Sequence, residues 1–237
     1  GLLLLASGST LAGRHLKRRD DAALEKIRAA EALARQESVR HEQGLQLKAW
    51  AGTLTNALQD GGESVAGFGD TVLAQLLPRL GGSVGAFYLR APGSDTFRCG
   101  AGRNIAAEQC QPFCVGEGIG GAAVQSQRVT RCPDIPEGHL KIAGGTLELV
   151  PREVAAIPVA IGNTVEALIE IGYLQPPSEQ DAILGEALPA IAYSLELLQR
   201  KQAALADLRE RAAIEERQRL ILGSMQDGLF GIGLDGR

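Results

Sequence analysis

Aromatic side chains are scarce in this sequence, making up 4% of 237 residues with a single Trp, so a core of ordinary size must be built from Leu, Ile, Val and Ala. Methionine occurs once and histidine three times, which leaves few soft or imidazole ligands. The chain also lacks a basic excess: 24 Lys and Arg stand against 28 Asp and Glu, a formal charge of −4. That excludes the global electrostatic footprint of a nucleic-acid-binding domain. No apolar run reaches the roughly 20 residues a spanning helix needs. No Cys-x-x-Cys pair marks a metal site. Gly116-Glu117-Gly118 is followed by Gly121-Ala122-Ala123, where a phosphate loop requires Lys and Ser or Thr. Neither a Ser-His-Asp set nor a paired-carboxylate cleft stands out. No catalytic residue, metal ligand set or cofactor is assigned, and no enzymatic activity is expected within these residues.

What remains is ordinary for a globular chain: 45% hydrophobic and 22% charged residues. The length fits one domain with extra helix, or two small domains. At the N-terminus, Leu2-Leu3-Leu4-Leu5-Ala6 precedes the basic run Arg14-His15-Leu16-Lys17-Arg18-Arg19. This order reads as the inner end of a membrane segment with positive charge on the cytoplasmic side. An amphipathic start of a soluble helix is the alternative. The absence of an initiator Met, and the close at Leu234-Asp235-Gly236-Arg237, give the expectation of a fragment of a longer protein.

From Asp20 to Gln59 the sequence has no Pro and is rich in Ala, Glu, Arg, Gln and Leu, so it predicts a long helix. Asp60-Gly61-Gly62-Glu63-Ser64 breaks it. A second helix follows from Phe68 to Leu80, with Val72, Leu73, Leu76, Leu77 and Leu80 on one face. Ser83 to Leu89 reads as a buried strand, turned at Ala91-Pro92-Gly93-Ser94-Asp95 into Thr96-Phe97-Arg98-Cys99. A short helix over Ile119 to Ser126 leads to a strand at Arg128 to Cys132, and the stretch from Pro133 to Pro151 reads as a long excursion. Two strong strands, Val154 to Ile161 and Val165 to Tyr173, meet at Gly162-Asn163. Alternation in the second predicts one core face and one partly wet face carrying Glu166, Leu168, Glu170 and Gly172. Pro176-Pro177-Ser178-Glu179 opens the last long helix, with Ser178 as cap. Leu184, Leu188, Ile191, Leu195 and Leu198 step by four and three, a two-stranded coiled-coil seam that resumes at Leu205 after a phase break near Gln202. Packing on the domain's own core explains the first half of that seam equally well.

This order of elements resembles a GAF domain. Phe113-Cys114-Val115-Gly116-Glu117-Gly118-Ile119-Gly120-Gly121 is similar to the family's Gly-Glu-Gly turn, and Cys132-Pro133-Asp134-Ile135-Pro136 and Ala155-Ala156-Ile157-Pro158-Val159 match its later strand motifs. Residues His139 to Leu149 resemble the excursion of GAF domains in hybrid sensor histidine kinases. The run from Glu216 through Asp227-Gly228 to Arg237 resembles the opening of a PAS domain, a cap helix leading to a first strand and an Asp-Gly turn.

The resemblance implies an α+β fold: a GAF-like antiparallel sheet with flanking helices, and long N- and C-terminal signalling helices forming a parallel dimeric coiled coil. The implied organisation is a membrane end and basic stretch over 1–19, a signalling helix over 20–66, the GAF domain over 67–199, a coiled-coil linker over 200–222, and a truncated PAS start over 223–237. It further implies a homodimer on the cytoplasmic side of the bacterial inner membrane. The partners are downstream PAS and output domains, in a histidine kinase or a diguanylate cyclase, with no nucleic acid. The dimer seam is Leu184, Leu188, Ile191, Leu195, Leu198 and Leu205. The signature sets of cyclic-nucleotide and bilin-binding GAF domains are absent. A ligand pocket, if present, is formed by Tyr88, Phe97, Cys99, Cys110, Cys114, Ile119, Cys132, His139 and Ile142. Within it the four cysteines either pack as small apolar side chains or sense a soft metal or an oxidant. That makes a small-molecule, metal or redox receptor the alternative to a pure relay.

Overall fold

The computed structural model describes residues 3–60, 64–105, 110–133, 135, 142–144, 147–175 and 180–232; side chains are described between 25 and 221, apart from 142–148. The chain divides into two compact units, Gly1–Trp50 and Ala51–Arg237.

The first unit is helical throughout its described length. Helix α1 runs from Leu3 to Asp60, longer than the sequence reading because no Pro interrupts Leu3 to Asp20 and the helix tolerates Gly8 and Gly13. Its large apolar residues Ile27, Leu33, Val39 and Leu45 are exposed. They recur every sixth residue, so they do not share a face. No helix among the described residues is long and apolar enough to cross a membrane.

The second unit begins with the last turns of α1, where Leu54 and Leu58 are buried. Helix α2, Val65–Leu80, starts three residues earlier than periodicity predicts because Ser64 caps it, its hydroxyl accepting from the Gly67 amide at 3.1 Å. It stops at Gly81, whose left-handed φ of 67° lets the amide reach back to the Leu77 carbonyl. Strands β1 (Val84–Arg90), β2 (Thr96–Arg103) and β3 (Phe113–Cys114) follow, then helix α3 (Gly118–Ser126) and strand β4 (Thr130–Cys132). Within the predicted excursion, Ile142–Gly144 (β5) and Leu147–Leu149 (β6) pair as a separate hairpin. Strands β7 (Glu153–Ile161) and β8 (Thr164–Tyr173) lead into helix α4, Asp181–Ile232. The main sheet is antiparallel, in the order β3-β2-β1-β8-β7-β4. Helix α2 packs on β1 and β2 and α4 on β7, whereas α3 meets β3, β4, β7 and β8.

Both faces of the central strands are covered. The wet face predicted for β8 is a correction: Leu168 and Glu170 are buried, because α3 lies over that side while α2 and α4 take the other. Leu168, on the same face as Glu170, was already the signal that this side is covered.

Helix α4 brings two further corrections. Leu184, Ile191, Leu195 and Leu198 are buried with Ala187 in the domain's own core, so they are not free to form a dimer seam; Leu188 is half-buried and Leu205 exposed. A 3–4 spacing suits packing on a sheet as well as packing on a second helix, and here the sheet takes it. A different apolar stripe faces outward, with Tyr193 58%, Leu197 45% and Leu208 61% exposed. These three lie within about 60° of one another around the helix axis, about 120° from the buried face. The apparent phase break near Gln202 is the handover from one stripe to the other. The helix also continues to Ile232, where the PAS resemblance called for a strand. A strand gains nothing without ladder partners, whereas a helix closes its own hydrogen bonds. The Asp235-Gly236 turn and the Ser178 cap lie outside the described residues.

Candidate functional site

The face of the sheet under α3 gathers most of the pocket residues named from sequence. Two local features aim them there. A bulge in the β1–β2 pairing matches Phe87 with Ala101 but Tyr88 with Cys99, leaving Gly100 as the extra residue. Cys99 therefore shares the α3 face with Tyr88, whereas a β-carbon on Gly69 of α2 would lie 2.8 Å from Ala101 Cβ on the opposite face. The second feature is the turn before α3. The Gly116 amide donates to the Gly121 carbonyl at 2.9 Å, Glu117 and Gly121 amides donate back to Cys114 and Glu117, and the Glu117 carboxylate accepts from the Cys114 amide at 2.9 Å. A β-carbon on Gly121 would lie 2.4 Å from the Cys114 carbonyl oxygen. The Gly-Glu-Gly run thus has a structural cause: backbone packs on backbone, and Glu117 ties β3 to the start of α3.

Aromatic side chains fill the space so framed. Phe97 and Phe113 stack at 5.3 Å, and Tyr88 meets the Phe113 edge at 5.1 Å. Cys99, Cys110, Ile105, Val115 and Ile119 pack around this group with Leu168 and Ala123. Set into it is the carboxylate of Glu170, only 3% exposed. A β-carbon on Gly120, in the first turn of α3, would lie 3.1 Å from Glu170 Oε1, so glycine there makes room for the acid near a helix N-terminus that favours negative charge. Burial, first, and then the Glu170 charge raise the Tyr88 phenol well above its ordinary range, and the phenol hydrogen-bonds that carboxylate.

The thiols divide unequally. Cys99 and Cys110 hydrogen-bond one another. Cys99 is pushed up by that bond and then by burial, and its sulfur lies 3.4 Å from the Ala101 carbonyl. Cys110 is drawn down by the same bond. Cys114 is exposed on β3, where its sulfur lies 3.7 Å from Thr96 Oγ1. Cys132 sits on β4, at the opposite edge of the sheet from β3. Tyr88, Phe97, Cys99, Cys110 and Ile119 are thus brought together, and Cys114 and Cys132 are not. Ile142 lies in β5 with its side chain undescribed, and His139 is outside the described residues. Among the described residues no group of three His, Cys, Asp or Glu side chains is arranged to hold a metal.

Sequence reasoning missed two features. One is Glu170, assigned to a wet face. The other is an open groove of about 850 Å³ where the β1–β2 turn, the β7–β8 turn and α4 meet, lined by Arg90, Asp95, Thr164, Glu166, Arg200 and Gln202 among others. Ion pairs line it on two sides, Arg90–Asp95 within the β1–β2 hairpin and Arg200–Glu196 (2.6 Å) one turn apart on α4. Its elements are distant in sequence, and no local pattern marks it.

No family model matches the sequence, and no curated protein matches it. Solved structures do match the fold. The GAF domain of an Acinetobacter phosphoenolpyruvate-protein phosphotransferase has a TM-score of 0.53 at 13% identity, covering 67% of this chain and 96% of that one. The corresponding domain from Coxiella burnetii gives 0.53 at 13% identity, over 68% and 98%. The free methionine-R-sulfoxide reductase from Neisseria meningitidis, in complex with its substrate, gives 0.52 at 15% identity, over 67% and 93%.

Proposed function

We propose that this chain, whose fold is that of a GAF domain, is the sensory and relay region of a bacterial signalling protein and works as a parallel homodimer. The reading places it on the cytoplasmic side of the inner membrane, upstream of PAS and output domains, a histidine kinase first and a diguanylate cyclase second. Catalysis belongs to that output, not to these residues.

One observation carries the proposal. Helix α4 is the last element of the domain core, yet it runs on to Ile232 with apolar residues Leu205, Leu208, Ile214, Leu220 and Ile221 exposed. An isolated, solvated helix of that kind gains little stability by itself. A second copy of α4 would cover Tyr193, Leu197 and Leu208 while the domain keeps Leu195 and Leu198. Both hairpin tips and α4 line the groove containing Gln202. A displacement in the sheet would reach α4 where its two apolar stripes change over, the kind of two-state element that relays require.

Native mass spectrometry of the chain, with elemental analysis of the same sample, tests the proposal. A dimer that Leu208→Glu converts to a monomer, with unfolding unchanged, is the expected result. A monomeric parent chain would overturn it.

A further inference from the structure

We propose that Cys99 and Cys110 form a reversible oxidation site, closed into a disulfide inside the domain by a hydroperoxide and reopened by a dithiol reductant. The inference rests on the relay reading only for its consequence in α4; the chemistry stands on the geometry of the two thiols.

Three features place the pair. The bulge at Gly100 turns Cys99 onto the α3 face, out of the alternation that would otherwise fix it beside Ala101. Gly102, farther along β2, lies under Ile105 and Cys110: a β-carbon there would clash with Ile105 Cγ2 at 2.6 Å and touch Cys110 Sγ at 3.4 Å, so Cys110 sits directly over β2. The two thiols, each half-buried, pack side by side against the same aromatic cluster. Cys110 lies outside any strand, so its sulfur can approach Cys99 without breaking a ladder. Cys114 is set against Thr96 instead, and Cys132 lies at the far edge of the sheet.

The roles follow from the hydrogen bond. Cys99 holds its proton and Cys110 is the thiol drawn toward thiolate, the reactive form. Cys110 sulfur attacks one peroxide oxygen; the sulfur–oxygen bond forms, the oxygen–oxygen bond breaks, and hydroxide leaves. Cys99 sulfur then attacks the Cys110 sulfenic acid. The sulfur–sulfur bond forms, the sulfur–oxygen bond breaks, and the Cys99 proton leaves with the departing oxygen as water. Overall two thiols lose two electrons and two protons, and one peroxide becomes two waters. Closure replaces the thiol pair with a disulfide beside Glu170 and Tyr88. Glu170 stands on β8, the strand that leads into α4.

The test is to treat the whole chain with hydrogen peroxide, count free thiols and map disulfides by peptide mass spectrometry. The expected result is the loss of two of the four free thiols, a Cys99–Cys110 linked peptide, and full recovery with dithiothreitol. In Cys99→Ser, which cannot close, a sulfenic-acid probe should label Cys110; Cys114→Ser should close like the parent. Four unreacted thiols, linkage through Cys114 between chains, or zinc on the pair that blocks peroxide would overturn the proposal. Closure with no change in self-contact along α4 would leave the site standing and remove its link to the relay.

Discussion

Gly121 and Gly118 sit in one turn but resist substitution for different reasons. At Gly121 a β-carbon would collide with backbone, 2.4 Å from the Cys114 oxygen and 2.9 Å from the Gly116 nitrogen, neither of which can swing away as a side chain would. At Gly118 nothing lies within 4 Å and only the positive φ of 63° opposes a side chain. Gly121→Ala should therefore cost about 3 kcal/mol or more and Gly118→Ala about 1, read from urea unfolding midpoints. Tyr173 provides a pH test. It is fully buried, and burial pushes its phenol from 10.0 up to about 12. A phenol raised in the folded state stabilises the fold while it is protonated. That contribution is complete below about pH 10 and is lost as pH climbs toward 12, roughly 2–3 kcal/mol in all. Tyr173→Phe should flatten this alkaline loss in unfolding free energy measured between those limits. Single residues were the least legible part of the sequence. Cys99 and Cys110 were visible as candidates among four, but their contact depends on one bulge and one glycine, which no spacing rule reports.

At the scale of elements, α4 shows why a pattern can be seen and still be assigned to the wrong neighbour. Leu184, Ile191, Leu195 and Leu198 carry the spacing of a coiled-coil seam, and a helix lying on a sheet produces the same spacing. Exposure separates the two, and sequence alone does not supply it. The two stripes should therefore respond differently to mutation. Ile191→Ala removes a fully buried side chain and should cost about 2–4 kcal/mol in unfolding free energy, whether or not the chain associates. Leu197→Glu, on the outward stripe, should leave monomer stability within about 0.5 kcal/mol of the parent while weakening self-association, seen by sedimentation at several concentrations. Strands and short helices were more legible: β7, β8, α2 and α3 all appear within a few residues of their expected places, because turn residues and caps bound them locally.

For the whole molecule, the order of elements and the Gly-Glu-Gly turn pointed to the GAF fold, and the solved neighbours show that fold at low identity. A sheet order of β3-β2-β1-β8-β7-β4 sets β1 and β8, the domain's first and last strands, side by side, and α4, which follows β8 in the chain, packs on β7 and α2. In the proposed relay, a change at the buried site on β2 and β8 is passed to the helix that leaves the core. The proposed relay requires two copies of α4 to meet along one face in parallel. In a symmetric parallel pair each residue near the axis faces its own counterpart. The direct test is Leu208→Cys, in a chain whose four native cysteines are serine, followed by mild oxidation and native mass spectrometry. A covalent dimer joined through position 208 is expected, with no such link from a cysteine placed on the domain-facing side at Leu195. A chain that stays monomeric, or that links only at random positions, would contradict it.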